Sequence, residues 1–166
     1  RGRTMTPEEI AAQDVWVPKV RAAVMDRGLW LLYIYRSLCK ALPHDEVVKH
    51  LRAAIREFGH YKGRKDGPGF SSRKWIDGHE TKGSKAVFDS LLVRGEGVNE
   101  QQMGCCPLVD IWKQEGCTQE ELELLCDIAM EGDRGRAEAH GMDMALEQTI
   151  ARGDKRCRLI VVDRAK

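Results

Sequence analysis

Apolar and polar residues along the first sixty positions recur with a helical period. The segment "TPEE" (6–9) offers a capping threonine, a proline at the first helical position and Glu9 three residues after Thr6, which together predict a helix start. Pro18 interrupts the segment that follows, so we expect a break there and a second helix from Lys19 to Lys40. Residues 1–16 would then form an N-terminal arm.

A further helix is predicted after Pro43. Its apolar positions fall on one helical face: Val47, Leu51, Ala54, Ile55 and Phe58. Gly59 or Gly63 is expected to end this helix, since glycine is the commonest residue just past a helix terminus.

Residues 63–85 are predicted to form a long basic loop or lid. The segment contains five glycines and Pro68, which disfavour regular structure. Its basic residues are Arg64, Lys65, Arg73, Lys74, Lys82 and Lys85. Long loops within compact domains are usually functional or disordered, and the embedded Phe70 and Trp75 favour an ordered lid.

The second half of the chain changes its periodicity. Residues 86–105 are predicted to form two extended segments joined near Gly95–Gly97, and helices are predicted over 107–114 and 118–130. The stretch 144–163 has a turn between two β-rich segments, which indicates a hairpin. The pattern predicts an α+β fold: one domain over 1–166, with a helical N-terminal half packed on a small antiparallel sheet that includes the C-terminal hairpin.

Composition limits the classes of function. Lys and Arg number 27 against 26 Asp and Glu, a balance that argues against a nucleic-acid-binding protein. The longest apolar run, 29–35, is too short to span a membrane, and no secretory signal pattern opens the chain. We therefore expect a cytoplasmic protein with no membrane partner, whose six irregularly spaced cysteines are reduced thiols.

Cys106 is the strongest candidate for chemistry. It directly precedes Pro107 at the predicted helix start, so its sulfur should lie near the unpaired N–H groups of the first turn. That setting lowers a thiol pKa and favours a nucleophilic thiolate. The alternative is that Cys106 packs as a small apolar residue. Its neighbour Cys105 should point the other way and is assigned to packing.

Two further residues are candidates for acid–base or orienting roles. His60 could act as a general base or simply interact with the last carbonyl groups of its helix. Asp133, expected just after a helix and beside two arginines, could orient a catalytic group or form an ion pair in a turn. No local metal or nucleotide motif is present, so no cofactor is predicted, although ligands for a divalent metal gathered from distant positions are left open.

Two segments resemble a known family. "CPLVDIWKQEGCTQEELELLCDIAMEGD" (106–133) and "TIARGDKRCRLIVV" (149–162) are similar to the L-2-amino-thiazoline-4-carboxylic acid hydrolases, over about residues 100–162. The matching positions are Cys106, Cys126, Asp133, Gly153, Asp154 and Cys157. The hairpin with "GD..C" also resembles small-molecule-binding domains related to 4-vinyl reductases.

The resemblance implies hydrolytic opening of a small nitrogen heterocycle at a C–N bond, with an amino-acid-like small-molecule substrate. Cys106, or a water activated by His60, would attack an sp² ring carbon, and the helix N-terminus would stabilise the developing charge. Arg64, Arg73 or Lys74 would hold a substrate carboxylate, and Asp154 and Cys157 join the candidate substrate site. A non-catalytic ligand-binding domain is the alternative function, and assembly into a homo-oligomer is left open.

Overall fold

The computed structural model describes residues 4–164, which form helices and one four-stranded sheet. The helices are α1 (Pro7–Leu38), α2 (His44–Lys65), α3 (Ser72–Thr81), α4 (Ser84–Val87), α5 (Pro107–Gln114) and α6 (Gln119–Ala139). The strands are β1 (Ser90–Arg94), β2 (Val98–Met103), β3 (Met142–Gln148) and β4 (Cys157–Asp163), with a short 3₁₀ helix at Ile150–Arg152. The predicted α+β class is confirmed.

The sheet is antiparallel throughout, with strand order β1-β2-β4-β3. The first pair of strands is the hairpin predicted around Gly95–Gly97, and β3 with β4 is the predicted C-terminal hairpin. Met103 at the end of β2 pairs with Cys157 at the start of β4. This register places the connection to α5 directly beside the first residue of β4.

Helices cover one face of the sheet, and two apolar clusters fill the interior. Between the sheet and helices α3 and α6 lie Trp75, Ile76, Ala137, Met142, Leu159 and Val161. Among α1, α2, α5 and α6 lie residues that include Leu32, Val47, Val109, Trp112, Leu125 and Ile128. Helix α6 contributes to both clusters and therefore links the helical layer to the sheet.

Helix α1 begins as the sequence predicts but does not break at Pro18. Thr6 and Glu9 form the capping box, with Pro7 at the first position. The helix then runs through Pro18 to Leu38, so the predicted break and the separate arm over 1–16 are wrong for the described part, while residues 1–3 lie outside it. A helix-interior proline costs about 3 kcal/mol, and contacts with α4 on both sides of Pro18 offset this cost. Trp16 packs against Gly83, and Arg21 Nε donates to the Val87 carbonyl at 2.8 Å.

Gly59 and Gly63 do not end α2, because both lie at its contact with α6. A Cβ atom at Gly59 would overlap the Gly132 carbonyl oxygen, and one at Gly63 would meet the Ala139 Cβ. From the opposite helix, a Cβ at Gly135 would overlap the Arg56 carbonyl oxygen. The absence of side chains lets the two helix backbones touch, a close approach that residues with a Cβ would prevent.

The segment 63–85 is mostly helical, so the prediction of a long basic loop is wrong. Ser71 caps α3 by accepting a hydrogen bond from the Lys74 amide. The Ser72 hydroxyl donates to Asp163 at 2.7 Å and accepts from Asn99 Nδ2 at 2.8 Å, which fixes the start of α3 to the sheet. Capping and these buried polar contacts outweigh the glycines in the segment.

Helix α6 is longer than predicted, extending to Ala139, with the expected capping box of Thr118 and Glu121 at its start. Asp133 is therefore inside the helix and not after it. None of the described helices combines the length and apolar character needed to cross a membrane.

The α2–α6 contact yields a stability prediction. Replacing Gly59 by alanine should lower the free energy of unfolding by about 1–3 kcal/mol, because the new methyl group forces apart two packed backbones. Gly78→Ala is the matched control: it is also inside a helix, and nothing lies within 4 Å of the added Cβ. It should raise stability by about 0.5–1 kcal/mol. Urea unfolding of both variants measures the difference; equal effects would contradict the close-packing account.

Candidate active site

Cys106 is the N-cap residue of α5, as the position before Pro107 predicts. Its backbone is extended, with φ −139° and ψ 104°, and Pro107 begins the helix. The connection that leads to it is tightly held: the Gly104 amide donates to the carbonyl oxygens of Phe88 and Asp89, both at 3.0 Å. A Cβ at Gly104 would overlap the Asp89 carboxylate, so the glycine permits the approach. These contacts fix the point at which the chain turns into α5.

Three of the six cysteines converge at this place and form what is here named the cysteine cluster: Cys106, Cys126 and Cys157. Cys126 lies in the middle of α6, and Cys157 is the first residue of β4. They are close enough that a negative charge on Cys106 or Cys157 would raise the pKa of Cys126. All three are buried. Within residues 4–164, no group of three or more His, Cys, Asp or Glu side chains is arranged to hold a metal ion.

Burial keeps the cluster neutral. It raises the pKa of Cys106 to about 11, although the backbone N–H groups of Val109 and Leu108 favour the thiolate. Burial likewise raises the pKa of Cys126 to about 12, and it raises the pKa of Cys157. The expectation of a low thiol pKa at Cys106 is therefore wrong. The helix N-terminus acts in the predicted direction, but loss of solvation for a charged sulfur is the larger effect.

A short turn places Cys157 beside the 3₁₀ helix. The Ile150 amide donates to Cys157 Sγ at 3.2 Å. Asp154 accepts a hydrogen bond from the Thr149 amide at 2.9 Å and so closes the turn. The contact of Asp154 is with the backbone, which is the ordinary role of an aspartate in a turn.

Arg152, in the same 3₁₀ helix, brings a positive charge near Cys126. Its side chain lowers the pKa of Cys126 against the larger opposing effect of burial. The residue is exposed, so its guanidinium remains available to a ligand. The sequence does not indicate this role, because Arg152 is 26 positions after Cys126 and no local motif joins them.

His60 lies on α2 and Asp133 lies on α6. His60 Nε2 is 3.4 Å from the Glu138 carboxylate, and Asp133 is 3.9 Å from Lys62 Nζ. Glu138 is about 18 Å along the helix axis from Cys126, at 1.5 Å per residue. The structure therefore separates His60 from the cysteine cluster.

The three basic candidates also lie away from the cluster, in α2 and α3. Arg64 pairs with Glu57, Arg73 pairs with Asp77, and Lys74 is exposed. Both ion pairs join residues of the same helix on the protein surface. Cys105, assigned to packing, is half-buried, with Arg21 Nη2 at 3.5 Å from its sulfur.

The structure reveals a second polar group around His79, a residue of α3. His79 Nδ1 is 2.9 Å from Ser84 Oγ. Its Nε2 is the one buried side-chain polar atom without a hydrogen-bond partner among residues 4–164. Burial lowers the pKa of His79 to about 4, and the nearby Asp133 opposes this shift. His79 is therefore a neutral imidazole at physiological pH.

Comparison with known proteins supports the family resemblance over most of the chain. The family model described as L-2-amino-thiazoline-4-carboxylic acid hydrolase matches residues 22–161. The match starts within α1 and ends within β4, so it extends well beyond the region 100–162. No curated protein matched the sequence.

The buried His79 predicts a pH dependence of stability. Its folded-state pKa of about 4 lies below the ordinary value of 6.5, so the unfolded chain binds the proton more readily. The free energy of unfolding should therefore be unaffected by this group above pH 6.5 and fall by about 2–3 kcal/mol as the pH decreases towards 4.5.

The measurement is urea unfolding at several pH values for the wild type, His79→Gln and, as control, the exposed His44→Gln. His79→Gln should remove this part of the pH dependence, and His44→Gln should retain it. Parallel pH curves for all three proteins would refute the assignment.

Proposed function

Since the chain belongs to the L-2-amino-thiazoline-4-carboxylic acid hydrolase family, we propose that it opens a small nitrogen heterocycle at a C–N bond with Cys106 as the reacting group. The substrate class is amino-acid-like, such as an aminothiazoline carboxylate. The observation that carries the proposal is the convergence of Cys106, Cys126 and Cys157 at the start of α5. Cys106 and Cys126 also belong to the apolar core among the helices, so packing is the alternative role that the activity test decides.

The first turn of α5 supplies the electrostatic component of the proposed reaction. Attack on an sp² ring carbon transfers negative charge to the atoms attached to it. The free N–H groups of the first turn, including those of Leu108 and Val109, favour negative charge at Cys106. The same donors would stabilise charge that develops on a substrate bound beside the sulfur.

A neutral thiol requires an acceptor for its proton. With a pKa of about 11, Cys106 is a thiolate in only about one molecule in ten thousand at neutral pH. His60 is separated from the cluster, so we propose that the ring nitrogen of the substrate accepts the proton as sulfur bonds to the ring carbon. The lone pair of the exocyclic amino group on the same carbon then expels the ring nitrogen, and a proton of that amino group passes to the departing nitrogen, which leaves as an amine. Water adds to the resulting C=N carbon, the bond from that carbon to Cys106 sulfur breaks, and the product keeps the oxygen as a carbonyl while the sulfur recovers its proton. This order of events makes the basic substrate its own general base.

Arg152 is the proposed anchor for the substrate carboxylate. It is exposed and its charge acts on Cys126, whereas Arg64 and Arg73 are engaged in surface ion pairs. A guanidinium binds a carboxylate through two parallel hydrogen bonds, which would orient the ring relative to the sulfur. Asp154 and Cys157 then contribute to the site by shaping the turn that carries Arg152.

The central test is the activity of cysteine variants on aminothiazoline carboxylates. Cys106→Ala and Cys106→Ser should each lose at least about a thousandfold in kcat, since removal of a nucleophile eliminates the covalent route. Cys39→Ala is the control, because Cys39 is outside the cysteine cluster, and it should retain wild-type kcat. Full activity of Cys106→Ala would exclude Cys106 as nucleophile. Substrate binding without turnover in the wild type would instead support the ligand-binding alternative related to 4-vinyl reductase domains.

A second prediction separates substrate anchoring from catalysis. Arg152→Gln should raise KM by roughly ten- to a hundredfold with a smaller effect on kcat, because it removes a charge-assisted contact to the substrate carboxylate. Arg64→Gln, the matched surface arginine, should leave both constants unchanged. The reverse result, with only Arg64→Gln raising KM, would move the carboxylate site to the end of α2.

A further inference from the structure

The outer face of α1 is an exposed stripe with large apolar side chains. Trp30 is 74% exposed, Val15 is 61% exposed and Tyr33 is 59% exposed. The opposite face carries the buried Gly28, Leu32 and Tyr35. The residues of the exposed stripe follow one another at intervals of one to four positions and so lie on one side of the helix. They are Ala11, Ala12, Val15, Lys19, Ala22, Ala23, Asp26, Trp30, Tyr33 and Ile34.

The stripe is complementary to itself when it is reversed. Its midpoint lies between Ala22 and Ala23. Positions at equal distances from that midpoint carry side chains of opposite charge or of different size. Lys19 is matched with Asp26, and Val15 is matched with Trp30. Farther out, Ala12 is matched with Tyr33 and Ala11 with Ile34, so each large side chain corresponds to a small one.

From this pattern we infer that the exposed face of α1 binds α1 of a second copy in an antiparallel, two-fold symmetric pair. In such an interface, residues equally distant from the midpoint lie at the same height on the two helices. Ala22 and Ala23 allow close approach at the centre. Lys19 of each chain then meets Asp26 of the other, which gives two symmetric ion pairs.

Charge and size both favour the antiparallel arrangement over the parallel one. A parallel pair in register would place Lys19 against Lys19, Asp26 against Asp26 and Trp30 against Trp30. Like charges that face each other across an interface oppose association. The antiparallel pair instead matches opposite charges and seats each Trp30 beside the smaller Val15. This inference is independent of the proposed reaction, because the described contacts of the cysteine cluster do not involve the exposed face of α1.

Charge exchange tests the inference. Lys19→Glu and Asp26→Lys should each weaken dimerisation by roughly tenfold or more, since each creates two like-charge contacts. The double variant K19E/D26K should restore the wild-type dimer, as should an equimolar mixture of the two single variants. Sedimentation velocity over a micromolar concentration series measures the dissociation constants.

Two alanine variants provide a second test and its matched control. Trp30→Ala should also weaken dimerisation, whereas Phe58→Ala, which removes an exposed aromatic residue from α2, should leave the dissociation constant unchanged. A monomeric wild type over the whole concentration range would overturn the inference. A dimer that tolerates both single charge changes would overturn it as well, because its interface would lie elsewhere.

Discussion

The contact between α2 and α6 is the constraint on which the rest of the structure depends. Gly59 and Gly63 from one helix, and Gly135 from the other, lack the side chains that normally separate two helices. The backbones therefore touch, and small changes there cannot be absorbed by side-chain rotation. Because α6 also lines the sheet and carries Cys126, the position of this contact sets the position of the candidate active site.

Ion pairs along both sides of the contact fix its register. Near one end, Arg52 and Arg56 of α2 bind Glu131, whose side chain is only 7% exposed. At the other end, Arg136 Nε donates to Asp66 at 2.6 Å, and the guanidinium also lies over the rings of Phe70 and Trp75. Burial alone would raise the pKa of Asp66, but hydrogen bonds from Arg136 and His140 lower it below its usual value. The charges compensate one another where the helices are closest, as buried charges require.

The cysteine cluster and His79 are both governed by desolvation. The start of α5 favours a thiolate at Cys106, yet the thiol remains neutral because the sulfur is buried. His79 is kept neutral for the same reason, although Asp133 lies near enough to oppose the effect. A site built from neutral groups needs no permanent counter-charge in the interior. In the reaction proposed above, the substrate supplies the base and the carboxylate.

The sequence by itself determined the features that depend on a few neighbouring residues. Thr6 with Glu9, Thr118 with Glu121 and Cys106 before Pro107 specify helix starts through local hydrogen bonds and backbone geometry, and each was predicted correctly. The strand pairs around Gly95–Gly97 and before Cys157 were also predictable, because strand propensity and turn residues are local signals. The family resemblance added Cys126, Asp154 and Cys157 as candidate site residues, and their roles in the site stay predictions.

Only the tertiary structure decided the features that depend on contacts between distant residues. Glycine within α2 and proline within α1 read as helix ends in isolation, but the contacts with α6 and α4 outweigh those local preferences. The same is true of residues 63–85, where Ser72 donates a hydrogen bond to Asp163 and accepts one from Asn99, holding a helix that composition disfavours. The tertiary structure also decides that the Cys106 thiol is neutral and that Arg152 lies near Cys126. Burial and the distance between charges are properties of the packed chain.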